Sequence, residues 1–228
     1  MTESRNHRLL MDRLAVPAFD AARVAGQVKR QPELVDTLVA GVGSETARVK
    51  FGASKVLRLL SEQAPELLYP HFDFFACLLE NQNSILRWNA LLVLASLAAV
   101  DRKGKLDRIM DAYLAPIPGP HLIDAGNAMR GATAIARAKP YLADKIARHI
   151  LHVERATYRT PECRNVAIGH AIRALEQFFG AIEDKRAVQM FVSRQVGNSR
   201  PATRRKAQQF LRKWPLESLP RSACRKAA

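Results

Sequence analysis

The chain has 228 residues, of which 48% are hydrophobic, 7% are aromatic and only 11 are glycine, which favours a large helical core over a β-sandwich. It carries 36 Lys and Arg against 21 Asp and Glu, a net charge of +15, which favours an acidic partner: protein, nucleic acid or an anionic membrane surface. Three widely spaced cysteines without a CxxC pair argue against a disulfide framework or a zinc site and favour a cytoplasmic protein. The polar start MTESRNHRLL does not fit a secretory signal, and the most apolar run is shorter than the roughly 18–20 residues of a membrane helix, so no membrane span is expected.

Residues 1–31 are predicted to form one or two capping helices. Apolar residues recur at helical spacing from Leu9 to Leu14 and again from Phe19 to Val28.

From residue 32 onward, one pattern recurs every 37 to 40 residues: a basic residue, an alanine three positions later, and apolar residues four and seven positions after the alanine. The basic residue is lost in the third copy. The spacing is that of a helix with one buried stripe, and alanine lets two helices approach closely where they cross. The alanines are Ala53, Ala90, Ala128, Ala167 and Ala207.

A second apolar helical stretch precedes each copy, and three of these stretches begin with a proline, which is favoured in the first helical turn. The predicted unit is therefore helix A, a turn and helix B, repeated at about 32–62, 65–100, 102–137, 139–179 and 182–214. Ser44, Asn83, Thr160 and Ser199 are the predicted N-caps of the B helices. Residues 215–228 are predicted to be a poorly ordered basic tail.

The repeat length and B helices such as LRWNALLVLASLA resemble the HEAT-repeat family over about residues 32–214. This resemblance implies an all-α fold, a right-handed α-solenoid of about five HEAT-like helix pairs with an N-terminal helical cap. Many HEAT units have an aspartate in the A–B turn that pairs with a B-helix arginine of a neighbour. Here the turns carry Glu45, Asn83, Glu162 and Asn198, so that ladder between repeats is not predicted.

The basic position of the repeat supplies the first candidate binding residues: Lys50, Arg87, Arg164 and Arg204. One interpretation is structural, with each side chain packed on the next repeat and bonded to turn carbonyls or acids. The other is functional: a row of charges on the inner surface, about 10 Å apart, that follows phosphates or an acidic peptide.

The last repeat carries the densest positive charge of the chain. No acid occurs between Gln195 and Leu216, and the structural interpretation is a solvated terminal cap. The functional interpretation is an anion-binding surface. Its residues are Arg200, Arg204, Arg205, Lys206, Arg212 and Lys213.

Aromatic and histidine side chains supply the other candidates. Trp214 is expected in the core, whereas Trp88 is expected to be partly exposed and is a candidate binding contact. His149 and His152 are spaced i, i+3 but lack an evident third ligand, so no metal site is predicted. His170 is expected to be a hydrogen-bonded core histidine. No phosphate loop or activated nucleophile is visible, so neither a cofactor nor a catalytic residue is predicted.

The leading hypothesis is a non-enzymatic scaffold that presents a basic curved surface to an acidic protein partner. The alternative is a nucleic-acid-binding protein, possibly a HEAT-like DNA glycosylase, because those enzymes are similar in length, basic charge and helical-pair architecture. That resemblance implies a basic groove with tryptophans and an aspartate near the lesion. No tryptophan–aspartate pair lies within one repeat of this sequence.

Overall fold

The computed structural model describes residues 2–216, with side chains from residue 6 onward; the basic tail predicted to follow lies, from residue 217, outside the described residues. In the described part, all regular secondary structure is helical. Helices α1 (Thr2–Ala15) and α2 (Ala21–Arg30) form the N-terminal end and pack on the first repeat. None of the described helices combines the length and apolarity needed to cross a bilayer.

Five helix pairs follow. Their A helices are short, and all except α8 are extended by 3-10 turns. The A helices are α3 (Val35–Val42), α5 (Pro65–Leu68) with α6 (Phe72–Cys77), α8 (Lys105–Leu114), α10 (Ala143–Leu151) and α12 (Lys185–Arg194). The B helices are mostly longer: α4 (Ala47–Gln63), α7 (Ser84–Leu97), α9 (Leu122–Ala138), α11 (Pro161–Phe178) and α13 (Pro201–Lys213).

The B helices pack on one another in chain order, from α4 through α7, α9 and α11 to α13. The alanine of the repeat lies at these contacts, and all five copies are at most 1% exposed. Contacts among the A helices are sparser, so the B helices form the inner side of the stack. The all-α solenoid predicted from the sequence is confirmed.

Two of the four predicted N-caps are confirmed. Asn83 accepts hydrogen bonds from the first turn of α7, and Thr160 accepts one from the first turn of α11. The prediction was wrong for Ser44, because α4 begins after Thr46, whose N–H donates to the Ser44 hydroxyl. It was also wrong for Ser199, which lies one residue before the cap of α13.

The outer side of the stack is joined by acid–base pairs between successive repeats. In each pair the acid belongs to one repeat and the base to the next. The pairs are Asp36–His71 (3.4 Å), Asp73–Lys105 (2.7 Å), Asp111–Lys145 (2.8 Å) and Glu154–Arg194 (2.7 Å). Exposed pairs of this kind each contribute about 0–1 kcal/mol to the free energy of unfolding. Their main effect is therefore on the alignment of successive repeats.

A buried polar network connects the second, third and fourth repeats around Asp101. Its carboxylate accepts a hydrogen bond from the Tyr69 hydroxyl at 2.6 Å and from two N–H groups at the start of α8, and it lies 3.0 Å from the Lys139 ammonium. Burial opposes the charge of Lys139, but its bonds to Tyr141 and Asp101 and the nearby charge of Asp107 outweigh burial and raise the pKa of Lys139. Burial also opposes ionisation of Asp101, yet its hydrogen bonds lower the pKa of Asp101 below the ordinary value. Both groups therefore stay charged, and each depends on the other.

Asp101→Asn is expected to lower the free energy of unfolding by about 3 kcal/mol, because it leaves the Lys139 ammonium without its main counter-charge. Urea unfolding followed by circular dichroism at 222 nm measures the loss. The matched control is Asp111→Asn, which removes an exposed carboxylate paired with Lys145 and is expected to shift the midpoint little. Equal shifts in the two variants would contradict a central role for Asp101.

Gly131 lets α9 approach α7 over the side chain of Tyr113. The Tyr113 ring is fully buried, and its hydroxyl donates to the backbone carbonyl of Leu91 at 2.7 Å. A Cβ at position 131 would overlap that hydroxyl and lie 3.2 Å from Ala95 Cβ. The ring cannot move aside without breaking its hydrogen bond, so the position requires glycine.

Gly131→Ala is expected to destabilise the protein by about 1–3 kcal/mol through overpacking. Gly126→Ala in the same helix is the control, because no atom lies within 4 Å of its new Cβ. The control should be neutral or more stable by up to about 1 kcal/mol, since alanine is the better helix former. Chemical denaturation of both variants checks the difference, and equal stability would refute the proposed overlap.

Candidate binding surface

A groove of about 610 Å³ lies between α9 and α11 on the inner side of the stack. Its volume is within the range of roughly 300–1,000 Å³ typical of ligand sites. Leu122, Met129 and Ala174 supply apolar lining, and none of the described residues that line the groove is acidic. The polar lining residues are Asn127, Arg130 and Thr133 from α9, and His170, Arg173 and Gln177 from α11.

Helical periodicity places these side chains together. On α11, His170, Arg173 and Gln177 are spaced i, i+3 and i+7, so they share one face and point away from the buried alanine stripe. Asn127 and Arg130 have the same i, i+3 relation on α9. Each helix therefore buries one stripe in the stack and presents another to the groove.

Positive groups are concentrated at the α11–α13 side of the groove. The Lys206 ammonium donates to the carbonyl of Gly169 at 2.9 Å. Partial burial, together with the charges of Lys206, Arg173 and Arg200, lowers the pKa of His170. Burial and the charges of Arg173 and Arg200 likewise lower the pKa of Lys206. These like charges repel one another in the free protein. An anion bound here would reduce that electrostatic repulsion.

The expectation for His170 was wrong. It lies at the protein surface with its side chain partly covered in the groove, and that side chain makes no hydrogen bond within the described residues. The facing turn of α9 carries Gly126 and Asn127, which are too small to cover the imidazole. The groove cations Arg130 and Arg173 were not predicted from the sequence either. Each lies three residues after another groove residue, Asn127 or His170, and this i, i+3 spacing could have indicated a shared helix face.

Two residues of the predicted basic column bond to their own A–B turn. Arg87 donates to the carbonyl of Asn81 at 2.7 Å and pairs with Asp124 of the next repeat at 2.8 Å. Arg204 donates to the carbonyl of Asn198 at 3.3 Å. In both cases the acceptor lies six residues before the arginine. The arginine at this position of the repeat therefore stabilises the A–B turn in both repeats.

The remaining predicted binding cations divide into those with an ion pair and those without one. Arg200 pairs with Glu162, and Lys213 lies 3.2 Å from Glu176. Four other predicted cations, one of them half-buried and three exposed, have no side-chain hydrogen bond or ion pair among the described residues. These are Lys50, Arg164, Arg205 and Arg212.

Trp88 and Trp214 have different environments. Trp214 is half-buried against Phe179, with ring centroids 4.9 Å apart. Trp88 is also partly buried, and its indole N–H donates to Asp124. Trp88 and Asp124 belong to different repeats, so this tryptophan–aspartate pair is not visible in the sequence of any single repeat.

Asp124 is the buried acceptor of two neighbours, with 8% of its surface exposed. One carboxylate oxygen accepts from Trp88 and the other from Arg87. An inter-repeat polar contact therefore exists, but its acid is at the start of a B helix and not in the A–B turn.

The two histidines considered as metal ligands lie with ring centroids 5.8 Å apart. His149 Nδ1 is 2.9 Å from the carbonyl of Lys145, and the nearby Glu154 binds Arg194 instead. The part of the chain that the structure describes holds no group of three His, Cys, Asp or Glu arranged around a metal position.

Arg87→Met is expected to lower the free energy of unfolding by about 2 kcal/mol, since it removes the donor to one oxygen of the buried Asp124 carboxylate and to two turn carbonyls. Arg164→Met is the matched control, because it occupies the same position of the repeat and has no such bonds. The control should retain wild-type stability in urea unfolding. A loss of the same size in both variants would contradict the structural role of Arg87.

No protein-family model and no curated protein matches the chain. Among solved structures, a designed armadillo repeat protein matches with a TM-score of 0.58 and 14% identity, over 90% of this chain and 98% of that one. A crystallised engineered protein from the Northeast Structural Genomics Consortium matches with a TM-score of 0.56 and 15% identity, over 90% of this chain and 87% of that one. Identities this low establish the fold alone. The chain has the fold of a helical-repeat solenoid, for which HEAT-like is the appropriate coarse description.

Proposed function

We propose that the protein is a non-enzymatic scaffold that binds an acidic protein partner on the B helices of its C-terminal half. The observation that carries the proposal is the groove between α9 and α11, whose lining includes Arg130, His170 and Arg173 and, within residues 2–216, no acid. Lys206 adds to this charge from the neighbouring helix. Electrostatic complementarity of this kind selects the partner and speeds association.

The solenoid architecture supports a binding role. Each repeat contacts mainly its neighbours, so stacking leaves a long continuous inner surface that no other part of the described chain covers. Large interfaces of this kind suit extended or irregular partners. We place the protein in the cytoplasm, which agrees with the free thiols of Cys77 and Cys163.

Nucleic-acid binding has weaker support than binding of an acidic protein. In the described part of the chain no Phe, Tyr or Trp lines the groove, so that lining offers no aromatic platform on which bases could stack. For a DNA glycosylase, the aspartate beside Trp88 would have to be available to the substrate. Both oxygens of Asp124 are instead occupied by Arg87 and Trp88.

The proposal is tested with a labelled polyaspartate of about 30 residues and a 20-base-pair duplex DNA, each titrated with the full chain at about 50 and 200 mM salt. Polyaspartate is expected to bind more tightly than DNA at both concentrations, with an affinity that falls as salt rises. Fluorescence anisotropy measures both.

Charge reversal locates the surface. The double variant Arg173→Glu with Arg205→Glu is expected to lose most of the polyaspartate binding. The control reverses two exposed arginines on A helices, Arg108→Glu with Arg186→Glu, and has the same net charge. No polyaspartate binding at 50 mM salt, equal losses in both variants, or tighter retention of DNA would each overturn the proposal.

A further inference from the structure

We infer that the groove between α9 and α11 binds an extended acidic segment through one apolar side chain with a carboxylate two residues away on each side. This inference rests on the proposed function and specifies the chemistry of the partner. It follows from three features of the groove: its apolar floor, its free amides and the position of its cations.

The floor of the groove accepts an apolar side chain. Met129 and Ala174 are almost completely buried beneath it, and the hydroxyl of Thr133 is already bonded to the carbonyl of Met129 at 2.9 Å. The floor therefore presents no unbonded donor. The groove volume of about 610 Å³ exceeds one leucine side chain, which leaves room for the backbone that carries it.

Two amides at the edge of the groove can hold a peptide backbone. The Asn127 NH₂ donates to the carbonyl of Ile123 at 3.1 Å, and the Gln177 NH₂ donates to that of Arg173 at 3.3 Å. The oxygen of each amide accepts no hydrogen bond within the described part of the chain. These oxygens are available to the N–H groups of an extended peptide.

The cations lie on both sides of the floor. Arg130 belongs to α9 and Arg173 to α11, and the axes of packed helices are about 8–10 Å apart. In an extended peptide, residues i and i±2 point to the same side and are about 7 Å apart along the chain. An apolar residue on the floor would therefore direct carboxylates at i−2 and i+2 toward these two arginines, within reach of their long side chains.

His170 makes this binding dependent on pH. The charged groups that face it are Arg173 on its own helix, and Lys206 and Arg200 from α13 and its cap; Arg130 lines the same groove from α9. In the free protein, partial burial and these cations lower the pKa of His170 and so disfavour its imidazolium form. A bound carboxylate favours the imidazolium, so the pKa of His170 is expected to be higher in the complex than in the free protein, and binding is coupled to proton uptake. Affinity must then rise as pH falls from 7.5 to 5.5, while the peptide carboxylates remain ionised.

The test uses two peptides of identical composition, both with Gly-Ser flanks and a dye on a spacer. One has the core Asp-Ser-Leu-Ser-Asp and the other the core Ser-Asp-Leu-Asp-Ser, which puts the carboxylates on the opposite face from leucine. The first is expected to bind at least about fivefold more tightly at 50 mM salt, the gain of one charge-assisted hydrogen bond. Its affinity should increase at pH 5.5 in the wild type and not in His170→Gln.

A second variant separates the groove from the wider basic surface. Gly126→Leu directs a side chain into the groove, where no atom lies within 4 Å of the new Cβ, and leaves the charge unchanged. It is expected to abolish the preference between the two peptides and to leave polyaspartate binding intact. Circular dichroism verifies that it folds, and Arg130→Glu gives the same loss of preference through charge.

The outcomes distinguish the two proposals. Polyaspartate binding with equal affinity for the two peptides overturns the groove inference and leaves the scaffold proposal standing. Retention of the preference in Gly126→Leu also overturns it. Failure of polyaspartate itself to bind removes the scaffold proposal, and the groove inference with it.

Discussion

The close approach of successive B helices is the constraint on which the rest of this structure depends. A column of alanines allows it, and at two of the helix contacts the limit is stricter than alanine. Gly131 leaves space for the hydroxyl of Tyr113, and a Cβ on Gly169 would lie 2.8 Å from the Thr203 hydroxyl. Because the helices approach so closely, their backbone carbonyls come within reach of side chains from the next repeat. Thr203 bonds to the carbonyl of Asn165 at 2.8 Å in this way.

The same close packing explains where the charges lie. On the outer side, the A helices carry acids and bases that meet across the repeat boundaries. On the inner side, the space between B helices is filled by small side chains, and long polar residues are directed to the surface. Arg130 and Arg173 line the groove and Lys206 lies nearby, so positive side chains are present where the groove opens. The function proposed for the protein follows from this separation.

The sequence predicted the fold because each repeat is marked by local spacing. Ala53, Ala90 and their equivalents can be recognised within a single helix, and the helix pair follows from the proline and turn residues between them. The partnership of Arg87 with Asp124 could not be predicted in this way, because the two residues are 37 positions apart and meet only through the register of two repeats.

The candidate site was predicted less well than the fold. The basic column could be recognised in the sequence. Whether an arginine of this column bonds to its own A–B turn depends on the distance between its guanidinium and the turn carbonyls. Arg87 makes such a bond and Arg164 does not, within the described residues. The position of His170 depends on the residues of the facing helix. A pattern taken from one helix placed it in the core, because that pattern contains no information about the small residues Gly126 and Asn127 across the groove.

The buried carboxylate of Asp101 also affects how the stack comes apart. A solenoid held only by contacts between neighbours would open one unit at a time from either end. The Asp101 network links three units in the middle of the chain, whereas α12 and α13 form the last described unit and pack on one neighbouring repeat only. Opening of this last unit would carry Lys206 and Arg200 away from His170. If an acidic partner binds these cations, as proposed, its binding and closure of the C-terminal end are linked equilibria, and the bound partner slows amide hydrogen exchange in α13.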